Sequence, residues 1–178
     1  MKKHTVVVCD HIHEAGLEML RNDENINFIM AADEPKDKLV NEIIPQADVA
    51  ITRSSTDVDD KFIAQAKNMK AIVRAGVGVD NVDIPGCSKE GIIVMNVPTA
   101  NTIAAVELTM AHMLSCMRMF PYSHDHLKNK RIWKREKWYG PEMKGKKIGV
   151  IGFGNIGVRV AKRAAGLEMG RYVLYPLH

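Results

Sequence analysis

A short apolar run, Lys147-Ile-Gly-Val-Ile151, leads directly into Gly152-Phe-Gly154-Asn-Ile-Gly157, and a helical stripe of Ile156, Val160, Ala164 and Leu167 follows. A strand, then glycines at Gly-x-Gly-x-x-Gly spacing, then a helix, is the start of a βαβ unit whose turn can hold a dinucleotide pyrophosphate. The glycines have separate roles. Gly152 makes the tight turn, Gly154 lets backbone amides approach the phosphates, and Gly157 lets the helix sit close to its strand. Backbone amides and the helix N-terminus then bind the anion. The bland alternative is a glycine turn with no ligand.

The same alternation runs through the rest of the chain. Thr5–Asp10, Asn27–Met30, Asp48–Thr52, Lys70–Arg74 and Ile92–Met95 read as strands, being short, apolar and bounded by turn residues. Between them Ala15, Leu17 and Leu20, then Leu39, Ile43 and Ile44, then Phe62, Ile63 and Ala66 recur at helical spacing. Pro35 suits a first helical position and Asp59-Asp60 a helix start. Alternating strands and helices predict an α/β fold with a parallel sheet, so residues 1–98 read as one complete domain. Asn96-Val-Pro98 is turn chemistry and a hinge. Ile103, Val106, Met110, Met113 or Leu114, and Met117 then predict a long helix over 101–119, with methionine as core or interface filler. Residues 121–145 hold Pro121, Gly140, Pro141 and Gly145 and keep no period, so they read as an extended arm. A single βαβ unit, 146–175, completes 99–178 as an incomplete second domain.

Composition narrows the function classes. The 178 residues are 46% hydrophobic, enough for a buried core, yet no run approaches the ~20 apolar residues of a membrane span. No signal peptide precedes the first strand, so the expectation is a cytoplasmic protein without membrane attachment. Cys9, Cys87 and Cys116 are odd in number and far apart, which points to reduced core thiols and to neither disulfides nor a metal cluster. The net charge of +4 gathers in the arm, where Lys134, Arg135 and Lys137 alternate with Trp133, Trp138 and Tyr139. Such a run can bind single-stranded nucleic acid, but Glu136 and Glu142 dilute it, and a solvated surface is the favoured reading. His11-Ile-His13 and His124-Asp-His126 have no partner cluster at ligand spacing, so they read as surface histidines. His112 reads as a lone helix histidine satisfied by a neighbour.

A second constellation follows the fourth strand: Arg74-Ala-Gly76-Val77-Gly78-Val-Asp80-Asn81. Open α/β sheets bind ligands beyond the carboxyl ends of their strands, and consecutive amides in a glycine turn can cradle a carboxylate. Arg74, and Arg53 in Thr52-Arg-Ser54-Ser55, can add charge-assisted hydrogen bonds to a small anion. Otherwise, the glycines only make turns and the arginines pair with local acids.

Thr52-Arg-Ser-Ser-Thr, Arg74-Ala-Gly-Val-Gly-Val-Asp-Asn-Val-Asp83, Met95-Asn-Val-Pro98, Asn101-Thr-Ile-Ala-Ala-Val-Glu107 and Met143 through Gly157 occur in one order in one chain. Together they resemble the D-isomer-specific 2-hydroxyacid dehydrogenases, most closely the branch acting on 3-phosphoglycerate in serine biosynthesis. The resemblance implies a flavodoxin-like substrate domain, then a Rossmann domain, with the active site in the cleft between them. It implies NAD as cofactor and hydride transfer at carbon 2 of a small anionic D-2-hydroxy acid. On that basis Gly76, Val77 and Gly78 hold the substrate carboxylate, with Val77 also near the nicotinamide. Arg53, Ser54 and Arg74 lie toward the phosphate end, and Asn101 lies on the hinge side. Gly152, Gly154, Asn155, Ile156 and Gly157 hold the pyrophosphate. The long helix 101–119 and the arm 121–145 match the part that forms a homodimer.

Two departures qualify the match. The family's catalytic arginine, glutamate and histidine fall beyond the equivalent of residue 178, so these residues alone are expected to be inactive. The acid expected ~20 positions after the glycines is absent at Leu174-Tyr175-Pro176, which leaves NAD against NADP open, and Glu168 falls on the wrong side of the second strand. A non-catalytic NAD(H)-sensing or scaffold protein of the same family is the alternative, and nucleic-acid binding through the basic arm is the third reading. A two-stranded half-sheet exposes apolar faces, so residues beyond about 120 are expected to be less well packed than 1–98, or stabilised by a second copy.

Overall fold

A computed structural model describes residues 3–174. The chain divides into two compact units, Met1–Ala100 and Asn101–His178. The boundary lies within two residues of the one read from the Asn96-Val-Pro98 turn.

The first unit alternates β1 (His4–Val8), α1 (Glu14–Arg21), β2 (Ile26–Met30), α2 (Lys36–Lys38), β3 (Val49–Thr52), α3 (Asp60–Gln65), β4 (Ala71–Arg74), α4 (Ile84–Lys89) and β5 (Ile93–Asn96). Its five strands are parallel in the order β2-β1-β3-β4-β5, the flavodoxin-like arrangement, with its switch point between β1 and β3. Successive strand residues point to opposite faces, so register decides burial. Val7, Ala50, Ile72 and Val94 align across four strands and meet Phe62, Ile44 and Cys87 in one core. On the other face, Ile93 and Met95 of edge strand β5 remain exposed.

Local chemistry sets the helix starts. The Asp59 carboxylate accepts the Phe62 amide at 3.0 Å and so caps α3, which fixes Phe62 inward. Pro35 caps α2 and does not occupy its first turn. Pro45 cannot donate a backbone hydrogen bond, so the helical segment after α2 passes through a π turn at Leu39–Ile43 and tightens to a 3₁₀ turn at Ile44–Gln46. Helix α4 has no sequence signal in Ile-Pro-Gly-Cys-Ser-Lys. It forms because Asp83 accepts the Gly86 amide at 3.0 Å, Pro85 stands in the first turn, and Cys87 is fully buried.

The second unit contains α5 (Thr102–Met117), α6 (Phe120–Lys128), a 3₁₀ turn (Arg135–Trp138), β6 (Lys147–Ile151), α7 (Asn155–Gly166) and β7 (Gly170–Leu174). Strands β6 and β7 are parallel, paired from Lys147↔Gly170 to Ile151↔Leu174. Helix α5 lies against α7: Val106 and Met110 meet Val160, while Met143 and Met169 close around Ala164 with Met113 and Met117. Methionine is therefore core filler here, as expected from its flexible thioether. The stripe fails at Ile103, which is exposed. The proposed strand end at Tyr175 lies outside the described residues.

Four expectations are corrected. Residues 121–128 of the expected arm belong to helix α6, since Pro121 is tolerated in a first turn and left-handed Met119 redirects the chain by 66° after α5. The remainder returns over the end of α5, where a Cβ on Gly140 would lie 1.9 Å from the Met117 carbonyl oxygen, and Trp138 stacks on Tyr122. His126 is buried edge-on against Trp138 and is not a surface histidine, whereas His112 and Cys116 face solvent. Among the described residues, no single helix is long and apolar enough to cross a membrane, and no group of side chains could hold a metal ion.

Candidate functional site

In the second unit the glycine turn joins β6 to α7. Gly152 has a φ of +88°, a region that L side chains rarely adopt. At Gly157 a Cβ would stand 2.1 Å from the Gly152 carbonyl oxygen, which is backbone and cannot swing aside. Close approach of helix to turn therefore requires glycine there. Around Gly152 and Gly154 the space for a side chain is open. No side chain caps α7, so the first amides of a 12-residue helix, at exposed Asn155 and Ile156, are not taken up by a capping group. Thr109 of α5, Ile148 to Gly152, Ile156 and Val160 line an adjoining hollow of about 350 Å³. An open turn and an uncapped helix start suit a pyrophosphate. Glu168, left-handed between α7 and β7, pairs with Lys144 at 2.9 Å.

In the first unit the carboxyl ends of β1, β3, β4 and β5 carry the remaining candidates. Arg53 and Ser54 leave β3 exposed, and Gly76, Val77 and Gly78 form the turn after β4. Arg74 is half-buried beneath that turn: its Nη1 lies 1.8 Å from where a Gly76 Cβ would stand, and its Nε is buried without a partner. The Val77 carbonyl accepts from Asn96 Nδ2 at 2.8 Å, and the Gly76 carbonyl accepts from the Val97 amide at 2.9 Å, so β5 fixes the turn. Among the described residues neither arginine pairs with a carboxylate; Arg53 Nη1 instead donates to the His11 carbonyl at 2.9 Å. Asp80 places a carboxylate oxygen beside Gly78. An anion here depends on the turn amides and the Arg53 guanidinium outweighing that charge.

The fold thus gathers Arg53, Ser54, Arg74, Gly76, Val77 and Gly78 at one sheet edge of the first unit. It gathers Gly152, Gly154, Asn155, Ile156 and Gly157 at one turn of the second. Asn101 precedes α5 in the second unit, exposed and with no side-chain cap bond.

Two residues at the sheet edge have roles that sequence reasoning missed. Asp10, ending the first apolar run, is buried and accepts hydrogen bonds from the Arg53 amide and from Thr56 Oγ1 at 3.1 Å. Asn81 donates to the carbonyls of Arg53 at 2.7 Å and Thr56 at 2.6 Å. An acid closing an apolar strand was the available signal for Asp10; Asn81 lay inside the glycine motif without an assigned role. Burial, with Asp10 adding to it, pushes the Cys9 thiol up to about 12, which leaves it protonated and unreactive.

The family model for the D-isomer specific 2-hydroxyacid dehydrogenase catalytic domain matches residues 6–172. The chain is 39% identical over 164 residues to a D-3-phosphoglycerate dehydrogenase of Archaeoglobus fulgidus, covering 92% of this chain and 31% of that protein. It is 38% identical over 169 residues to a hydroxypyruvate reductase of Thermotoga maritima, covering 95% and 54%. Among solved structures, NAD+-bound 3-phosphoglycerate dehydrogenase of Entamoeba histolytica superimposes with a TM-score of 0.75 at 31% identity, covering 98% of this chain and 54% of that one. The NAD complex of Staphylococcus aureus NAD-dependent formate dehydrogenase gives 0.82 at 26%, covering 99% and 57%. The chain therefore spans about a third to a half of the curated relatives it matches.

Proposed function

The chain belongs to the D-isomer-specific 2-hydroxyacid dehydrogenase family, and from that premise we propose that it supplies the substrate unit and the opening of the nucleotide unit of an NAD-dependent oxidoreductase. The reaction moves a hydride between nicotinamide and carbon 2 of a D-2-hydroxy acid, with 3-phosphoglycerate, the entry to serine synthesis, as the substrate. NAD, when bound, accepts or supplies the hydride. The Gly152–Gly157 turn and the first amides of α7 hold its pyrophosphate. Gly76, Val77 and Gly78 hold the substrate carboxylate, Val77 also borders the nicotinamide, and Asn101 serves the substrate from the hinge side. Arg53, Ser54 and Arg74 read the phosphate, which separates this substrate from the unphosphorylated acid of a hydroxypyruvate reductase.

One observation carries the cofactor assignment: Gly157 approaches the Gly152 carbonyl more closely than any side chain allows, beside an uncapped helix start. A fluorescence titration with NADH tests it. Weak binding that Gly157→Leu abolishes is expected; no binding at about 1 mM NADH, a bar that only a dissociation constant far above that level would miss, sinks the assignment. Residues 1–178 alone are expected to show no turnover, because the family's arginine, glutamate and histidine have no counterparts among them. NADH binding by a longer polypeptide that carries those three residues yet turns over no hydroxy acid would favour the sensing or scaffold reading.

The homodimer belongs to the same proposal. Phe120, Tyr122, Leu127, Trp133 and Tyr139 expose large apolar surfaces on and after α6, more than a lone soluble surface usually shows in one place. Sedimentation that finds only monomer at about 100 µM, well above the affinity of a stable dimer, would refute it. A cytoplasmic location is supported by three unpaired thiols and is checked by cell fractionation.

A further inference from the structure

We propose that Asn81 and Asp10 are positioning residues that set where the Arg53 guanidinium stands relative to the Gly76–Gly78 turn, and so decide phosphate recognition without touching the substrate. This rests on the substrate reading above. The segment Arg53–Thr56 is a loop with no ladder of its own, yet it is gripped from two sides. From the loop after β1, the buried Asp10 carboxylate accepts the Arg53 amide and the Thr56 hydroxyl. From the β4–α4 connection, Asn81 spends both hydrogens of its amide on the Arg53 and Thr56 carbonyls, at 2.7 and 2.6 Å. The backbone continues the link: the Val58 amide donates to the Asn81 carbonyl at 2.8 Å, and Val58 bridges Val82.

Asn81 is three residues beyond Gly78, so its two bonds tie the loop bearing Arg53 to the chain that forms the glycine turn. The guanidinium is steadied in turn by the His11 carbonyl, next to Asp10. A carboxylate here accepts from the loop and an amide donates to it. A carboxylate at position 81 would set acceptors against the Arg53 and Thr56 carbonyls, so the donor there is chemically specific and not mere filling of space. Holding a charged fork at fixed reach matters because misplacement by about 1 Å can cost about 100-fold.

Paired affinities test this. The 178-residue chain is titrated by NMR with 3-phosphoglycerate and, separately, with D-glycerate, which lacks only the phosphate. Wild type is expected to prefer 3-phosphoglycerate by about tenfold, the scale of one bidentate charge-assisted contact. Asn81→Asp, which keeps the shape but cannot donate, should bring the preference to about twofold or less, and leave D-glycerate affinity within about twofold. Thr56→Val, which removes only the hydroxyl held by Asp10, should lose about half of the preference on the logarithmic scale and guards against an Asn81 variant that does not fold. The ratio is taken on one sample, so partial unfolding cancels. Equal weakening for both ligands would assign Asn81 a structural role and overturn the inference, as would an unchanged ratio in both variants. If wild type binds both acids without preference, or neither, the substrate reading itself fails and the inference with it.

Discussion

The two units begin from the same kind of parallel strand, yet bury it very differently. In the first, Val7, Ala50 and Ile72 on adjacent strands are each 0% exposed, whereas in the second every residue of β7 is exposed and Ile151 of β6 is 85% exposed. Composition does not account for this, since Ile-Gly-Val-Ile is as apolar as Thr-Val-Val-Val. Neighbours do. Three central strands of the first sheet have partners on both edges, and α2, α3 and α4 cover one face; β6 and β7 have each other and the layer formed by α5 and α7. A buried parallel strand needs cover on both faces, so most of the second unit's cohesion comes from helix packing around Val106, Val160 and Ala164.

Substitutions can break or sharpen this contrast. Phe62→Ala removes a fully buried ring from the first core and should cost about 3–5 kcal/mol; urea unfolding read through amide exchange of β1, β3 and β4 would measure it, and a loss below about 1 kcal/mol would contradict the core described here. Gly157→Ala drives a Cβ against backbone in the second unit, for about 1–3 kcal/mol, with the loss focused on the glycine turn and on NADH binding. Removing the Asp59 cap by Asp59→Ala should cost about 1 kcal/mol and fray α3 in exchange measurements.

The next effect depends on pH. Lys70 and the Thr5 amide, at 2.9 Å each, hold the Asp48 carboxyl below its ordinary value of 3.8. A depressed folded value means the stabilisation is present above 3.8 and lost as pH falls through the lower folded value. Asp48→Asn should therefore lower Tm at pH 7 by an amount equivalent to less than about 1 kcal/mol, because Lys70 is well solvated. The difference from wild type should shrink below pH 3.8. A gap that widened in acid would reverse the argument. Smallest of all, Ile151→Thr should change stability by no more than about 0.5 kcal/mol; a core-sized loss would mean that this face is covered in solution, and a second copy would be the first candidate.

Strand positions were legible in the sequence to within two residues, because short apolar runs between turn residues report buried parallel strands directly. Helix α4 was not, since proline and glycine inside six residues read as a turn until Asp83 and the burial of Cys87 are seen. Helix α6 is hidden in the sequence for a related reason: Pro121 reads as a breaker, yet it stands in the first turn of the helix. The site divides along the same line. The glycine turns stand out by their spacing, and at Gly152 and Gly157 the backbone itself calls for glycine, whereas Asp10 and Asn81 act on a loop more than 25 residues away and leave no local pattern.

The order of residues alone determined the alternating α/β architecture, the two-unit division and the two glycine turns, since these follow from periodicity, from the spacing of glycines and turn residues and, at Gly152, from a backbone conformation open to few residue types. Tertiary structure decided which strands acquire cover, that Arg74 tucks under its turn while Arg53 stays exposed, and that the β1–α1 and β4–α4 connections jointly hold the Arg53 loop. Those outcomes depend on hydrogen bonds and contacts between distant segments, whose partners exist only once the sheet has set its register.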